Sequence, residues 1–243
     1  MKEDVYKIMI KCELITHTPN PDNVVATSAR LCYSNNNVED IIKTFNKDDN
    51  KLDNFINKLN SLGHLSPFEH VSFTFGIEGV SRTLSHQLVR HRIASYSQKS
   101  QRYVNEHNFD FIVPPTIKNN KDAEEMYKEL MRNINGVYQS LVALNIPKED
   151  ARYVLPNATE TKLIVTFNAR SLLNFFSLRC CTRAQWEIRQ LANLMLIEVK
   201  KVAPLLFKNA GAFCKLKGYC QEEDMSCGIA PTLQKILINN KQE

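Results

Sequence analysis

Two stretches of this chain change their hydrophobic period within a residue or two, and that change limits the folds open to it. In "HVSFTFGIEG", Val71, Phe73, Phe75 and Ile77 alternate with Ser72, Thr74 and Gly76, the mark of a strand with one face in a core. "SRTLSHQLVRHR" follows at once, with Ser81 as cap and Leu84 and Leu88 facing inward, so a helix is expected from Ser81 to Arg92. Far along the chain the arrangement recurs: "TKLIVTFNA" reads as a strand and "RSLLNFFSLRCC" as a helix. Such junctions, scattered among helices without regular βαβ alternation, predict an α+β fold. The expected architecture is an antiparallel or mixed sheet flanked by long helices.

The remaining elements fit that class. "KIMIKCELI" alternates Ile8, Ile10, Cys12 and Leu14 against Lys7, Lys11 and Glu13, a half-buried strand. "PDNVVATSARLCY" reads as a helix with Pro21 near its start. Leu52, Phe55, Ile56, Leu59 and Leu62 share one helical face, and Gly63 is its stop. "FDFIVPP" reads as a short strand, Lys121 to Asn145 as a long helix, and "AQWEIRQLANLMLIEVKKVA" as another. Only seven glycines occur, and none forms G-x-G-x-x-G or a phosphate-binding loop. The fold is therefore expected to be non-Rossmann, and any nucleotide must be held by side chains and ordinary helix ends.

Charge is concentrated in "RHRIASYSQKSQRY", Arg90 to Tyr103, inside a run without a carboxylate from Gly79 to Asn105. After the expected helix, a loop projecting Ser95, Ser97, Gln98, Ser100 and Arg102 is anticipated, and Gln87 and Arg90 should share the preceding helical face. Arginine forks with hydroxyl donors make an anion cradle. The alternative is a solvated basic face, or an RNA-binding module that stacks bases on Tyr96 and Tyr103. The net charge of +5 suits an anionic small molecule without requiring nucleic acid. In "NARSLLNFFSLRCCTRAQWE", Asn168, Arg170, Asn174, Arg179 and Arg183 stand among large apolar residues, with Arg170 and Asn174 on one face. Either they hold a ligand or the arginines pair with distant carboxylates. "GHLSPFEH" offers His64, Ser66, Glu69 and His70, but its spacing is wrong for a helical zinc pair, and no metal is expected.

Seven cysteines, an odd number, and a charged stretch from Met1 to Leu14 argue against a secretory signal and for free thiols in a cytoplasmic chain. No apolar run approaches the roughly 20 residues that span a bilayer. Cys180 and Cys181, flanked by Arg179 and Arg183, could be a thiolate nucleophile or two buried helical cysteines. Cys214, Cys220 and Cys227 lack C-x-x-C spacing and read as free tail thiols, with a three-thiolate metal site as the alternative.

"RHRIASYSQKS" fits Arg-His-Arg, seven residues, then Ser, and resembles the signature of the flavin-dependent thymidylate synthases. "LSPFEH", "ARYVLP" and "NARSLLNFFSLRCCTRAQWEI" are similar to that family's other blocks, in the same order, so the resemblance runs from about Ala29 to Val199. It implies a homotetramer with shared sites that binds FAD and uses NADPH and 5,10-methylenetetrahydrofolate to turn dUMP into dTMP. On that resemblance FAD would be held by Ser66, Arg90, His91, Arg92, Gln98, Asn168, Arg170 and Asn174, with Cys32 where other members carry serine. Likewise dUMP would meet Gln87, Leu88, Val89, Arg90, Gln98, Lys99, Ser100, Gln101, Arg102 and Arg152. Arg179 would favour ionisation of uracil N3, so no cysteine nucleophile is needed, and His64 and Tyr103 would border the flavin and folate. Gln98 stands where some members have a carboxylate. Residues 1–210 would then be one catalytic domain and 211–243 a cysteine-containing tail.

Overall fold

The computed structural model describes residues 9–45 and 49–239. In chain order its elements are β1 (Lys11–His17), α1 (Pro21–Leu31), α2 (Val38–Phe45), α3 (Asp49–Leu62), β2 (Ser72–Ser81), α4 (Arg82–Leu88) and β3 (Ala94–Gln98). There follow α5 (Pro115–Lys118), α6 (Lys121–Ala143), α7 (Lys148–Ala151), β4 (Glu160–Asn168), α8 (Ala169–Arg179), α9 (Trp186–Val202), α10 (Phe213–Lys217) and α11 (Leu233–Asn239). The strands form one antiparallel sheet in the order β1-β2-β4-β3. The fold is α+β and not of the Rossmann type, as the sequence predicts.

The described residues divide into two compact units. The first contains residues 9–11, Gly76–Arg90 and Tyr96–Ile164. Its core gathers Phe109, Phe111 and Met131, with Val113, Tyr127, Ile134, Leu155 and Ala158 packed against them. Phe109 and Phe111 come from the stretch before α5, and Met131, Tyr127 and Ile134 from α6. The Tyr127 hydroxyl donates to the Ile112 carbonyl at 3.0 Å, so the half-buried phenol has a partner. Here the structure corrects the strand expected in "FDFIVPP": it makes a single isolated bridge, Phe111 to Thr159. Pro114 and Pro115, which lack N–H groups, stop further pairing.

The second unit contains Cys12–Phe75, His91–Ser95 and the described chain from Val165 onward. Its centre is aromatic: Phe73 and Phe176 each meet Phe207 nearly edge-on, at 5.4 Å and 5.9 Å between ring centroids. Phe175 touches Phe176 and Phe167 in turn, and all five rings are buried. The first turn of α1 is tied to the turn that follows α9 by Asp22, a buried carboxylate that accepts from the Leu206 N–H at 3.0 Å. Burial raises its pKa more than these backbone bonds lower it. Gly63 takes φ of 69° and ends α3 as expected. The first strand begins later than its alternation suggested, at Lys11, and Lys7 and Ile8 lie outside the described residues.

Candidate active site

In the first unit the helix after β2 is shorter than its sequence predicts. Ser81 caps it, its hydroxyl accepting from the Leu84 N–H at 3.0 Å. The helix ends at Leu88, so Gln87 and Arg90 do not share a helical face. The cause lies in the next segment, which is a strand and not a loop. Tyr96 on β3 donates its hydroxyl to the Leu88 carbonyl at 2.9 Å, satisfying the end of α4 from outside. Burial pushes that phenol's pKa up, so it stays a donor. The strand alternates, with Tyr96 and Gln98 half-buried and Ser95 and Ser97 exposed. Gln98 donates from Nε2 to the Thr161 hydroxyl of β4 at 3.1 Å.

Beyond β3 the fold supplies the carboxylates missing from the local sequence. Lys99 pairs with buried Glu106 at 2.9 Å, and Arg102 with Glu149 at 2.8 Å. Arg102 also covers the Tyr103 ring, 5.5 Å from its centroid. The Ser100 hydroxyl accepts from the Arg102 N–H at 3.2 Å and its carbonyl from the Val104 N–H at 3.0 Å, which fixes the turn. Arg152 donates from Nε to the Glu149 carbonyl at 3.0 Å. Arg82 joins this group unannounced by the sequence: its pKa is lowered, first by burial and then by the charge of Arg152. Arg102 thus holds an exposed carboxylate, with Arg152 bonded to the backbone of the same residue and Arg82 close enough to Arg152 to feel its charge, an arrangement that can exchange a weak internal pair for a phosphate. Gln87 is half-buried, Leu88 buried, and Val89 and Arg90 exposed, while Gln101 is half-buried in the turn.

The second unit holds the other set. Asn168 caps α8, its Oδ1 accepting from the Ser171 N–H at 2.8 Å. Arg170, one turn along an exposed face with Asn174, pairs with Glu69 from "LSPFEH", so two sequence blocks meet through one ion pair. Arg179 in the last turn donates from Nε to Nε2 of His91 at 3.0 Å. The His91 ring stands edge-on to Phe175, with centroids 4.9 Å apart. Burial, and then the Arg179 charge, holds the His91 pKa down to about 4, so the ring is neutral and its Nε2 is an acceptor at neutral pH. Arg179 is thereby oriented without being neutralised by this contact. Arg92 is exposed.

His64 lies beside Tyr33, ring centroids 6.0 Å apart, and its Nε2 is buried without a hydrogen-bond partner among the described residues. Such an orphaned atom calls for a ligand or water, and Ser66 lies exposed in the turn that follows. Together with Arg170 and Asn174 on the exposed face of α8, these groups fit a cofactor carrying polar ring atoms and phosphates. Cys32, exposed at the end of α1, makes only a 3.8 Å contact from Sγ to the Ser28 carbonyl. The reading of Cys180 and Cys181 as buried helical residues is corrected: Cys180 is the C-cap of α8, Cys181 lies past it, and both are half-buried. Burial raises the Cys180 pKa to about 11. Among the described residues no group of three or more His, Cys, Asp or Glu is arranged to hold a metal ion, and no helix is long and apolar enough to cross a membrane.

Comparison with known proteins covers both sets of residues. The family model described as thymidylate synthase complementing protein matches residues 13–205. The chain is 51% identical to a flavin-dependent thymidylate synthase of Clostridium tetani, across 94% of this chain and 97% of that one. It is 49% identical to the protein of that name from Geobacter sulfurreducens, across 93% and 97%. For the one from Nitratidesulfovibrio vulgaris the identity is 44%, again across 93% and 97%.

Proposed function

The chain belongs to the flavin-dependent thymidylate synthase family, and from that premise we infer that it reductively methylates dUMP to dTMP with 5,10-methylenetetrahydrofolate as carbon donor, FAD as its flavin and NADPH as reductant. The observation that carries the chemistry is the contact between Arg179 and neutral His91. A guanidinium held by an uncharged acceptor keeps its full charge for an anion. Beside uracil N3 it stabilises the deprotonated ring, which raises electron density at C5, the carbon that takes the one-carbon unit.

Ser66, His64, Arg90, His91, Arg92, Asn168, Arg170 and Asn174 would hold the flavin, which when bound supplies the hydride that completes the methyl group. Cys32 and Gln98 would border it, and Tyr103 the folate. Arg170 must then loosen its exposed pair with Glu69, a contact of little net strength. Gln87, Leu88, Val89, Lys99, Ser100, Gln101, Arg102 and Arg152 would receive dUMP, its phosphate replacing the Glu149 carboxylate at Arg102. The raised Cys180 pKa leaves that thiol protonated at neutral pH, which supports a reaction without an enzymic nucleophile. We read residues 1–210 as one catalytic domain acting within a homotetramer. The RNA-binding alternative loses support because Tyr96, one of its two stacking platforms, is half-buried with its hydroxyl bonded to the Leu88 carbonyl.

The test is direct. Purified protein should be yellow with a flavin absorption spectrum, scatter light as a tetramer, and form dTMP only when both methylenetetrahydrofolate and NADPH are present. Failure to bind FAD, or dTMP formation without a reductant, would overturn this reading.

A further inference from the structure

The turn after α8 borders a cavity of about 250 Å³ in the second unit. Arg179, Cys181 and Arg183 line one side of it, and Cys214, Cys220 and Glu222 the other. The second side lies beyond residue 205, where the family match stops. All three cysteines are free thiols. The cavity is thus lined by three thiols and two guanidiniums, and Arg183 reaches Glu222 only at 3.8 Å. That combination suits a small molecule with a sulfur electrophile and carboxylates: the guanidiniums bind the carboxylates while a thiol takes the sulfur. Of the three thiols, Cys220 is buried, and its backbone is fixed by a 2.7 Å bond to the Pro231 carbonyl. Cys214 sits on α10, away from the arginines in sequence, whereas half-buried Cys181 stands between Arg179 and Arg183 on the same turn.

We propose that Cys181 is a reversible modification site for small anionic disulfides, and that a half-molecule bonded there impedes Arg179. The Cys181 thiolate attacks one sulfur of the reagent. The reagent's S–S bond breaks, a new bond forms to Cys181 Sγ, and the other half leaves as a thiolate that takes up the proton Cys181 gave. The disulfide is itself the oxidant, and excess monothiol reverses the exchange. The adduct's carboxylates then occupy the cavity that Arg179 lines and compete for its guanidinium. This second effect rests on the role assigned to Arg179 above; the bonding does not.

The experiment treats FAD-loaded protein, and the C181S variant, with glutathione disulfide. Intact mass and peptide mapping locate the adduct, while dTMP formation and NADPH-dependent flavin reduction are followed separately. We expect one half-molecule on Cys181, absent in C181S, with dTMP formation lowered about tenfold and flavin reduction little changed. Dithiothreitol should restore dTMP formation. The proposal is overturned if adducts map only to exposed Cys32 and Cys227 or to Cys214, or if a Cys181 adduct leaves dTMP formation intact. Should the untreated protein form no dTMP at all, the functional reading fails instead, and the peptide map still decides whether Cys181 is the modified thiol.

Discussion

Ser81 and Asn168 stand at equivalent places, each ending a strand and capping the helix that follows it, with cap bonds of 3.0 Å and 2.8 Å. The two helices then end differently. The one behind Ser81 stops at Leu88, because Tyr96 takes the Leu88 carbonyl, and Arg90 falls outside it. The one behind Asn168 runs on to Arg179, which stays in the last turn, where the helix dipole favours a cation, and is gripped by His91. One construction thus yields an exposed arginine at one junction and an oriented one at the other. What meets the helix end, more than the helix's own sequence, therefore decides how an arginine there is oriented.

Removing each of those two arginines should separate them. Arg179→Ala should lower dTMP formation by 10² to 10⁴, about 2.7–5.5 kcal/mol of transition-state stabilisation, while NADPH still reduces the flavin. Arg90→Ala should weaken both activities, since that residue is assigned to cofactor and nucleotide alike. Tritium release from dUMP labelled at C5, run beside flavin bleaching, reads the two; equal losses in both assays for Arg179→Ala would erase the distinction. Next in size is Arg170→Ala, which removes a charge-assisted contact of roughly 1.5–3 kcal/mol, tenfold to over a hundredfold in FAD affinity. An unchanged titration would take Arg170 out of the site.

The two capping residues should differ in the same way. Ser81→Ala and Asn168→Ala should each cost about 1 kcal/mol of folding stability in urea. Only Asn168→Ala should also weaken FAD binding, and an equal effect from Ser81→Ala would mean that the loss is structural. The smallest effect is a pH dependence. The folded pKa of His91 is depressed to about 4 from an ordinary 6.5, so between those values the unfolded chain binds the extra proton. Stability therefore rises with pH across that window and is flat above it. The ring is only half-buried, so screening makes the change modest, and a His91→Asn variant, which keeps an acceptor, should flatten the slope in urea titrations at pH 4 to 6.5.

Much of this was legible in the chain. Period and capping residues located both junctions, α1, α3, α6 and α9, because burial of one face writes itself into local spacing. The end of α4 was not legible: "LVRHR" continues a helical pattern, and what stops it is a hydroxyl from β3. The Phe111 stretch looked like a strand by composition but lacked a neighbour for more than one bridge. In the candidate site the residue types were readable and their partners were not. Glu149 lies 47 residues from Arg102, and Glu69 lies 101 residues from Arg170, so no local window contains either pair. The acid-free run promised bare charge, and tertiary structure supplied the counter-charges.

Glu149 therefore has a consequence for how nucleotide binding answers to ionic strength. A bare arginine in solution attracts mobile anions, and a phosphate that displaces them binds more weakly as salt rises. Arg102 already carries a tethered anion in Glu149. On the proposed binding mode, a phosphate arriving there would trade places with a carboxylate that stays attached to the protein, and few free ions would be released. The affinity for dUMP should consequently fall less steeply with added salt than a count of the loop's arginines and lysines suggests, and Glu149→Gln should make it steeper.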